Sequence, residues 1–401
     1  MALDIFRERG TPLDKQGFDW KELVQTPYSK LDDDAFTRVR VILMNGIEAE
    51  SLRFKHMCAR FNEELQLPLA RVRRQEQHQQ TMVNWLNPPD QSTLETTIGF
   101  EQVAIELTAV LAQNEPDPYL KQVMDFGLLE DFDHLYRYAA LMDRVEGRDA
   151  NTLVQCYTDI LPGRPTSVEH RAPEDDLRAH YDKETVAPIS KLNAVILTAA
   201  ETQTHDYYMT VGPTFADPVA RQLYAEIASI EEQHVTQYES LCDPRETWIE
   251  KWMMLELMEV YTYFSCAAQE SNPRIRKIWE RFVDYELGHL HTAMALFQQI
   301  EGRDPAEVLP ATLPEPIDFS SQRKYVRETL RQQVDFRANG KEIVPLEEDS
   351  EASIAYRQRM NASGSPSERV AAGYKWRPGT ELAPATGNGS SKNVVTKEVS
   401  P

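Results

Sequence analysis

Residues 283–291 read VDYELGHLH, and this stretch places Glu286 three residues before His289. Side chains three residues apart lie on the same face of a helix, so these two can bind one metal ion. The same acid-x-x-His spacing recurs at Asp131–His134 and at Glu231–His234. A single pair of this kind is uninformative, and its meaning depends on the helices around it.

The chain is predicted to be overwhelmingly helical, because apolar residues recur with the helical period and prolines separate the periodic stretches. No stretch shows a convincing strand-like alternation of polar and apolar residues. The expected helices cover residues 34–66, 69–86, 91–114, 118–147, 184–210, 214–241, 244–271 and 273–301. The sequence therefore predicts an all-α fold with eight long helices in two sets of four.

Short sequence matches link the two sets of helices at a nearly constant spacing. VEGRDA at 145–150 recurs as IEGRDP at 300–305, which is 155 residues later. EQH at 76–78 recurs at 232–234, which is 156 residues later. Ordered matches at one period indicate an ancient duplication. We therefore expect two tandem four-helix bundles that pack as a pseudo-dimer within one chain.

The composition predicts how the rest of the chain is organised. Beyond Ile300 the helical pattern decays, and from about Leu346 the sequence is rich in Ser, Gly, Pro, Asn and Thr, which is typical of disorder. The expected segments are an N-terminal arm (1–33), a degenerate bundle (34–150), a linker (151–183), a bundle with a metal site (184–305), a surface-wrapping extension (306–345) and a disordered tail (346–401).

Each helix of the second set carries one acidic residue at a similar depth, and two of these acids are followed by histidine. The candidate metal ligands are Glu201, Glu231, His234, Glu256, Glu286 and His289. Four carboxylates balance the charge of two divalent ions, and one imidazole completes each ion. The acids lie in apolar company such as MMLELMEV, and a buried glutamate needs a partner. The sequence therefore predicts a dinuclear metal site.

The ligand types, the net charge and the hydropathy of the chain limit which cofactors, partners and cellular location are expected. Carboxylate and imidazole ligands without thiolate suit iron, manganese or a mixed pair, and they are compatible with zinc. The net charge of −21 disfavours nucleic acid as a partner. Without a long apolar run or a signal peptide we expect no membrane segment and a cytoplasmic location. The oligomeric state stays open.

This ligand pattern resembles the ferritin-like di-iron carboxylate superfamily. Within this superfamily the pattern resembles that of rubrerythrins, because Glu259 follows Glu256 by three residues in the stretch ELME. The resemblance covers about residues 185–301 and implies an additional carboxylate associated with peroxide reduction. Rubrerythrins usually add an iron site built from two C-x-x-C pairs, which this chain lacks. The resemblance then implies an external electron-donor protein.

The first set of helices carries a weaker copy of the ligand pattern. The local offsets place Ile47, or alternatively Glu48, and then Gln75, His78, Glu101, Asp131 and His134 at the six ligand positions, with Ala104 for Glu259. A neutral amide at one carboxylate position lowers the negative charge that two ions need. We therefore expect the first bundle to lack metal, and the alternative is one ion at Glu101, Asp131 and His134.

Tyrosines and one more histidine share the faces of the ligands. Tyr208, Tyr238 and Tyr263 each lie seven residues, or two helical turns, after a candidate ligand. They are candidates for hydrogen bonding to bound oxygen species or for carrying a radical, and the alternative is ordinary core packing. His205, one turn after Glu201, is a candidate proton relay.

The favoured function is a dinuclear-metal oxidoreductase that activates hydrogen peroxide or dioxygen. One form is a rubrerythrin-like peroxidase in which Glu259 stabilises the oxidised metal. The other form is an oxidase or oxygenase of a small organic substrate. The alternatives are a ferroxidase in iron handling and a non-catalytic helical scaffold whose C-terminal tail binds partners.

Overall fold

The computed structural model describes residues 3–376, and helices dominate this part of the chain, which confirms the all-α prediction. The helices are α1 (Trp20–Leu23), α2 (Ala35–Phe61), α3 (Gln66–Asn84), α4 (Thr93–Asn114), α5 (Pro118–Glu146), α6 (Asn151–Val154), α7 (Pro188–Val211), α8 (Pro218–Glu239), α9 (Trp248–Gln269), α10 (Pro273–Glu301), α11 (Arg323–Gln333), α12 (Glu351–Met360) and α13 (Pro366–Ala371). All of the long helices correspond to predicted ones, with ends shifted by a few residues.

The long helices begin where the sequence offers a cap. Proline is the first residue of α5, α7, α8 and α10, where its missing N–H leaves no intrahelical bond unmade. Asp117 and Asp217 accept hydrogen bonds from the first backbone N–H groups of α5 and α8. Capping boxes begin α4 at Ser92 and α9 at Thr247.

The duplication is visible in the helix ends. Both ends of α9 and of α10 lie 155 residues after the corresponding ends of α4 and α5. Helices α5 and α10 both stop at a glycine in the left-handed conformation, with φ of 63° at Gly147 and 67° at Gly302. The match between VEGRDA and IEGRDP marks these two helix ends.

Four antiparallel hairpins form the body of the molecule: α2–α3, α4–α5, α7–α8 and α9–α10. Hydrogen bonds join α2–α3 to α9–α10, since Gln79 on α3 donates to Glu286 on α10 and Tyr263 on α9 donates to Glu48 on α2. Hairpin α4–α5 packs with α7–α8 in the same way, through His134 and Glu231. Each group of four helices therefore takes one hairpin from each half of the chain.

This grouping corrects the expectation that residues 34–150 and 184–305 each form a bundle of their own. Short connections determine which helices form hairpins, but the connection between one hairpin and the next leaves the choice of partner hairpin open. Long-range contacts make that choice. Helix α2 packs against α9, and Met44 of α2, Trp252 of α9 and Phe282 of α10 belong to one core cluster, which also extends to Leu197 of α7. Burying each such side chain contributes roughly 1.5–3 kcal/mol.

The segments outside the hairpins also differ from expectation. Strand β1 (Arg337–Asn339) pairs antiparallel with β2 (Glu342–Val344), a hairpin too short to show alternation. Residues 346–376 contain helices α12 and α13 instead of the predicted disorder, because α13 packs on α5 and α8. The backbone N–H of Ser367 donates to Glu226 of α8. The remainder of the predicted tail, 377–401, lies outside the described residues.

None of the helices in the described part of the chain combines the length and the apolar character that crossing a bilayer requires.

The N-terminal arm lies on α10. The Thr11 N–H donates to the Asp284 carbonyl, and Gln16 donates to the Tyr285 carbonyl. The arm therefore brings Gln16 next to the acid-x-x-His pair of α10.

Candidate metal centre

Six buried acidic and histidine side chains meet between α4, α5, α7 and α8. This two-histidine cluster consists of Glu101, Asp131, His134, Glu201, Glu231 and His234. Its ligand atoms fall into two groups, in each of which all atoms lie within 4.8 Å of one another, and both groups contain Asp131 and Glu231. Two adjacent ions need shared carboxylates of this kind as bridges.

Many polar atoms of the two-histidine cluster have no hydrogen-bond partner in residues 3–376. They include both carboxylate oxygens of Asp131, both of Glu201 and Nδ1 of His234. His234 Nδ1 lies 3.3 Å from Asp131 Oδ1 and 3.7 Å from Glu201 Oε2, close enough for ion pairs but without hydrogen bonds. Burying polar and charged groups without hydrogen bonds costs free energy, which metal ions would compensate. The donor set of four carboxylates and two imidazoles therefore fits two divalent ions.

Each histidine of the cluster is oriented by a carboxylate on its outer side. His234 Nε2 lies 2.7 Å from Glu130 Oε2, and His134 Nε2 lies 2.9 Å from Glu169 Oε2. The Nδ1 atoms consequently face the cluster, with His234 Nδ1 at 3.2 Å from Glu231 Oε2. Carboxylates behind imidazole ligands fix the ring and increase its basicity.

The segment expected to be only a linker, 151–183, supplies this outer layer. Besides Glu169 it contributes Arg171 and Arg164, whose Nη1 atoms lie 2.6 Å and 3.2 Å from Glu130 Oε1. Burial alone would raise the pKa of Glu130, but Arg171 and His234 hold that pKa below its usual value. The carboxylate behind His234 is therefore kept ionised.

The protonation of the cluster itself reflects crowded negative charge. Burial raises the pKa of Glu101 well above its usual value, and burial together with Asp131 does the same for Glu201. The pKa of Glu231 is lowered to about 2 despite its burial, because His134 and His234 favour its charged form. Positive charge at the centre would favour ionisation of every carboxylate here.

A second buried cluster lies between α2, α3, α9 and α10 and contains a lysine. This lysine cluster consists of Glu48, Lys55, Glu76, Gln79, Glu256, Glu259, Glu286 and His289. Lys55 Nζ lies 2.8 Å from Glu256 Oε1 and 3.3 Å from Glu259 Oε2, and it also contacts Glu76. Burial alone would lower the pKa of Lys55, but the four carboxylates of Glu256, Glu259, Glu76 and Glu286 raise it well above its usual value.

The six predicted ligands do not meet at one centre. Glu201, Glu231 and His234 belong to the two-histidine cluster, whereas Glu256, Glu286 and His289 belong to the lysine cluster. Within residues 3–376, no group of mutually close ligand atoms contains members of both sets. The physical reason is the exchange of hairpins, which places α7–α8 and α9–α10 in different groups of four helices.

The first half of the chain therefore has a different role from the expected one. Glu101, Asp131 and His134, predicted to be a degenerate remnant, provide half of the two-histidine cluster. The ligand positions that were predicted for Gln75 and His78 are occupied by Glu76 and Gln79. The reason is that α3 and α8 are related by an offset of 155 residues and not by the offset of 156 in the EQH match. Of the two candidates in α2, Glu48 is the buried acid at the cluster, and Ile47 belongs to the apolar core.

The other predicted site residues are divided between the clusters. The Tyr208 hydroxyl donates to Glu101, and the Tyr238 ring centroid lies 6.5 Å from that of His234. The Tyr263 hydroxyl donates to Glu48 in the lysine cluster, where Glu259 also lies. His205 is partly exposed, and its Nδ1 lies 3.2 Å from Oδ1 of Asp206. His205 contacts neither cluster.

Sequence reasoning missed Lys55, Glu130 and Glu169. One signal was present for Lys55: it follows Glu48 by seven residues, as Tyr208 follows Glu201. Glu130 stands directly before Asp131 in the apolar stretch FGLLEDF, where a second buried acid calls for a partner. Glu169 lies in an irregular segment, and no spacing rule places such a residue near a helix.

Comparison with known proteins gives no match to a family model, to a curated protein or to a solved structure. The resemblance to ferritin-like di-iron proteins therefore stays a prediction from the residues. Function has to be inferred from the chain's own side chains and their geometry.

Proposed function

We propose that the chain is a dinuclear-metal oxidoreductase of the ferritin-like kind, with its metal centre in the two-histidine cluster. The observation that carries the proposal is the pair of overlapping ligand groups that share Asp131 and Glu231. Glu101 and His134 would complete one ion, and Glu201 and His234 the other. Iron, manganese or a mixed pair suits these ligands.

Two reduced metal ions held by these ligands would supply two electrons to dioxygen or hydrogen peroxide, and an organic substrate or a donor protein would return them. The chain's own contribution begins with exclusion of water, since all six ligands are buried. Glu130 and Glu169 hold the two imidazoles with Nδ1 toward the centre. Ligands fixed in this way need little reorganisation when the reaction begins.

Tyrosines surround one side of the centre and can manage protons there. The Tyr208 hydroxyl donates its proton to Glu101, and burial together with Glu101 raises the pKa of Tyr208 well above its usual value. The rings of Tyr138 and Tyr224 lie 5.1 Å and 5.6 Å from that of Tyr208. Tyr208 is therefore a neutral donor in an aromatic wall, suited to hold a proton at the Glu101 carboxylate.

The position of Glu259 favours dioxygen over peroxide as the oxidant. The rubrerythrin-like expectation depends on an additional carboxylate at the centre, but Glu259 lies with Lys55 in the other cluster. The corresponding residue on α4 is Ala104, 155 positions earlier. We therefore favour an oxidase or oxygenase over a peroxidase that takes electrons from an external donor protein.

A surface cleft offers space for a small organic substrate. Its volume is about 680 Å³, and its walls include Phe54, Met57, Trp248 and Met254. Thr198, one helical turn before Glu201, also lines this cleft. Charged side chains such as Arg53, Glu239 and Lys251 share the walls with these apolar ones. A cleft that combines apolar walls with polar groups can hold a small molecule.

The proposal is tested by metal content and oxidant consumption in matched variants. Glu231→Gln removes a ligand shared by both groups, and Glu76→Gln changes its counterpart 155 residues earlier, in the lysine cluster. We expect about two iron or manganese ions per chain in the wild type and in Glu76→Gln, and loss of both ions in Glu231→Gln. Dioxygen and peroxide consumption should follow the metal content.

A wild type that binds no iron or manganese after anaerobic reconstitution would refute the proposal and favour a scaffold. Dioxygen consumption that requires an organic reductant supports the oxidase. Continued turnover of added ferrous ions without any organic substrate would instead identify a ferroxidase.

A further inference from the structure

We propose that the lysine cluster has the ligand arrangement of a divalent-metal site and that the ammonium group of Lys55 takes the place of the ion, so that the native chain binds no metal there. Removing this charge should turn the cluster into a second site for manganese or a similar first-row ion. The proposal concerns residues outside the two-histidine cluster, so it stands or falls independently of the oxidoreductase activity.

The two clusters are built on the same frame. Glu76, Glu256 and Glu286 lie 155 residues from Glu231, Glu101 and Asp131, and His289 lies 155 residues after His134. The ligand atoms of Glu76, Glu256, Glu286 and His289 all lie within 4.8 Å of one another. The lysine cluster thus keeps three carboxylates and one imidazole in the arrangement that the other cluster uses.

Lys55 occupies the place that Tyr208 has in the two-histidine cluster. Each follows an acid of its own helix by seven residues, Glu48 or Glu201. Tyr208 donates a hydrogen bond to Glu101, and Lys55 contacts the counterpart of that acid, Glu256, at 2.8 Å. One position therefore presents a neutral hydroxyl in one cluster and a full positive charge in the other.

The ammonium group lies where a metal ion would bind. Its Nζ has four oxygen neighbours, which are carboxylate oxygens of Glu76, Glu256 and Glu259 and the Ser51 hydroxyl, 2.5 Å away. A divalent ion would need the same oxygens at about 2.0–2.2 Å. The ion and the ammonium would then compete for ligands and repel each other at close range.

Part of the ligand capacity remains unused beside the lysine. Oε2 of Glu76, Oε2 of Glu256 and Oε1 of Glu259 are buried without a hydrogen-bond partner in the described chain. His289 Nδ1 lies 3.8 Å from Glu76 Oε1 and 4.0 Å from Glu256 Oε2. His289 Nδ1 also lies 2.8 Å from Glu286 Oε2. With the ammonium absent, the mutually close ligand atoms of Glu76, Glu256, Glu286 and His289 would be free to bind an ion.

The test counts metal bound by the lysine cluster alone. All variants carry Glu231→Gln, which removes the ligand that both groups of the two-histidine cluster share. In this background Lys55→Met is compared with Lys55→Arg, which keeps the positive charge. Each protein is dialysed against Mn²⁺, freed of loose ions on a chelating resin, and analysed by plasma mass spectrometry. We expect Lys55→Met to bind about one Mn²⁺ per chain more than its Lys55 parent, and Lys55→Arg to gain none.

Adding Glu286→Ala to Lys55→Met should abolish the gain. Equal metal content in Lys55→Met and its parent would overturn the proposal. A second measurement does not depend on the folding of Lys55→Met. Introducing Glu286→Ala into the parent that keeps Lys55 should leave the Mn²⁺ content unchanged. Metal lost from that parent upon Glu286→Ala would show that Lys55 does not exclude ions, and would equally overturn the proposal.

Discussion

The two-histidine cluster and the lysine cluster arise from one duplicated pattern, yet they balance their negative charge differently. In the first, six ligands surround a centre in which Asp131 and Glu201 have no hydrogen-bond partner among the described residues. In the second, Lys55 lies between three carboxylates. The comparison teaches that buried acids need a cation, which a side chain or a metal ion can provide.

The difference extends to the residues behind the histidines. In the two-histidine cluster, the carboxylates of Glu169 and Glu130 lie against the imidazoles. In the lysine cluster, the neutral amide of Gln16 takes that position, with its Oε1 at 2.7 Å from His289 Nε2. A carboxylate makes imidazole a stronger ligand than an amide does. The residues behind the histidines therefore favour the first cluster as the proposed metal centre.

The largest effect should follow from removing the internal cation. Lys55→Ala leaves Glu76, Glu256 and Glu259 buried without a positive partner, which should lower the free energy of unfolding by about 3–5 kcal/mol. Urea denaturation in the presence of a chelator measures this loss. An unchanged midpoint would mean that Lys55 does not balance the charge of the cluster.

The second prediction compares the residues behind the histidines. Glu169→Gln removes the carboxylate that orients His134, so we expect metal affinity of the two-histidine cluster to fall by about 10–100-fold. Gln16→Ala is the matched control in the lysine cluster and should leave metal affinity unchanged. Competition with a chromogenic chelator gives both values. Equal effects of the two substitutions would contradict the assignment of the metal to one cluster.

Metal removal should change how stability depends on pH. In the metal-free protein burial raises the pKa values of Glu101 and Glu201, and the neighbouring carboxylates raise those of His134 and His234 despite burial. These four groups therefore bind more protons in the folded chain than in the unfolded chain. The stabilisation from these groups is complete below the unfolded pKa values, about 4.3 for glutamate and 6.5 for histidine, and it is lost as the pH rises through the folded values.

We therefore expect the melting temperature of metal-free protein to fall by several degrees as the pH rises above about 6.5, the unfolded value of histidine, because the raised groups then lose protons. Metal-loaded protein should show a weaker dependence, because its ligands are already deprotonated. Scanning calorimetry on both forms gives the comparison. Parallel curves would show that the ligands of the two-histidine cluster do not bind the added ion.

The smallest expected effect is that of Tyr208→Phe, at the position equivalent to Lys55. The substitution removes the hydroxyl that donates to Glu101 and leaves the ring packing intact, so it should cost about 1 kcal/mol. Urea denaturation of Tyr208→Phe and Lys55→Ala under the same conditions compares their losses of unfolding free energy. It tests whether removing a hydrogen bond costs less than removing a buried charge. A loss as large as that of Lys55→Ala would contradict this distinction.

Sequence by itself determined the helices and the duplication. Helical periodicity and proline caps are local properties, so the eight long helices and their approximate ends follow from residues close together in the chain. The acid-x-x-His pairs at Asp131, Glu231 and Glu286 were likewise readable, because residues three apart must share a helix face.

Only the tertiary structure decided which ligands meet. Local sequence carries no information about the partner of a hairpin, so Glu201 was assigned to the group of Glu256 when its actual neighbours include Asp131. The same limitation hid Glu169, which an irregular segment brings to His134 from 35 residues away. The partners were chosen by long-range packing of apolar faces, and that packing also placed Lys55 among its three carboxylates.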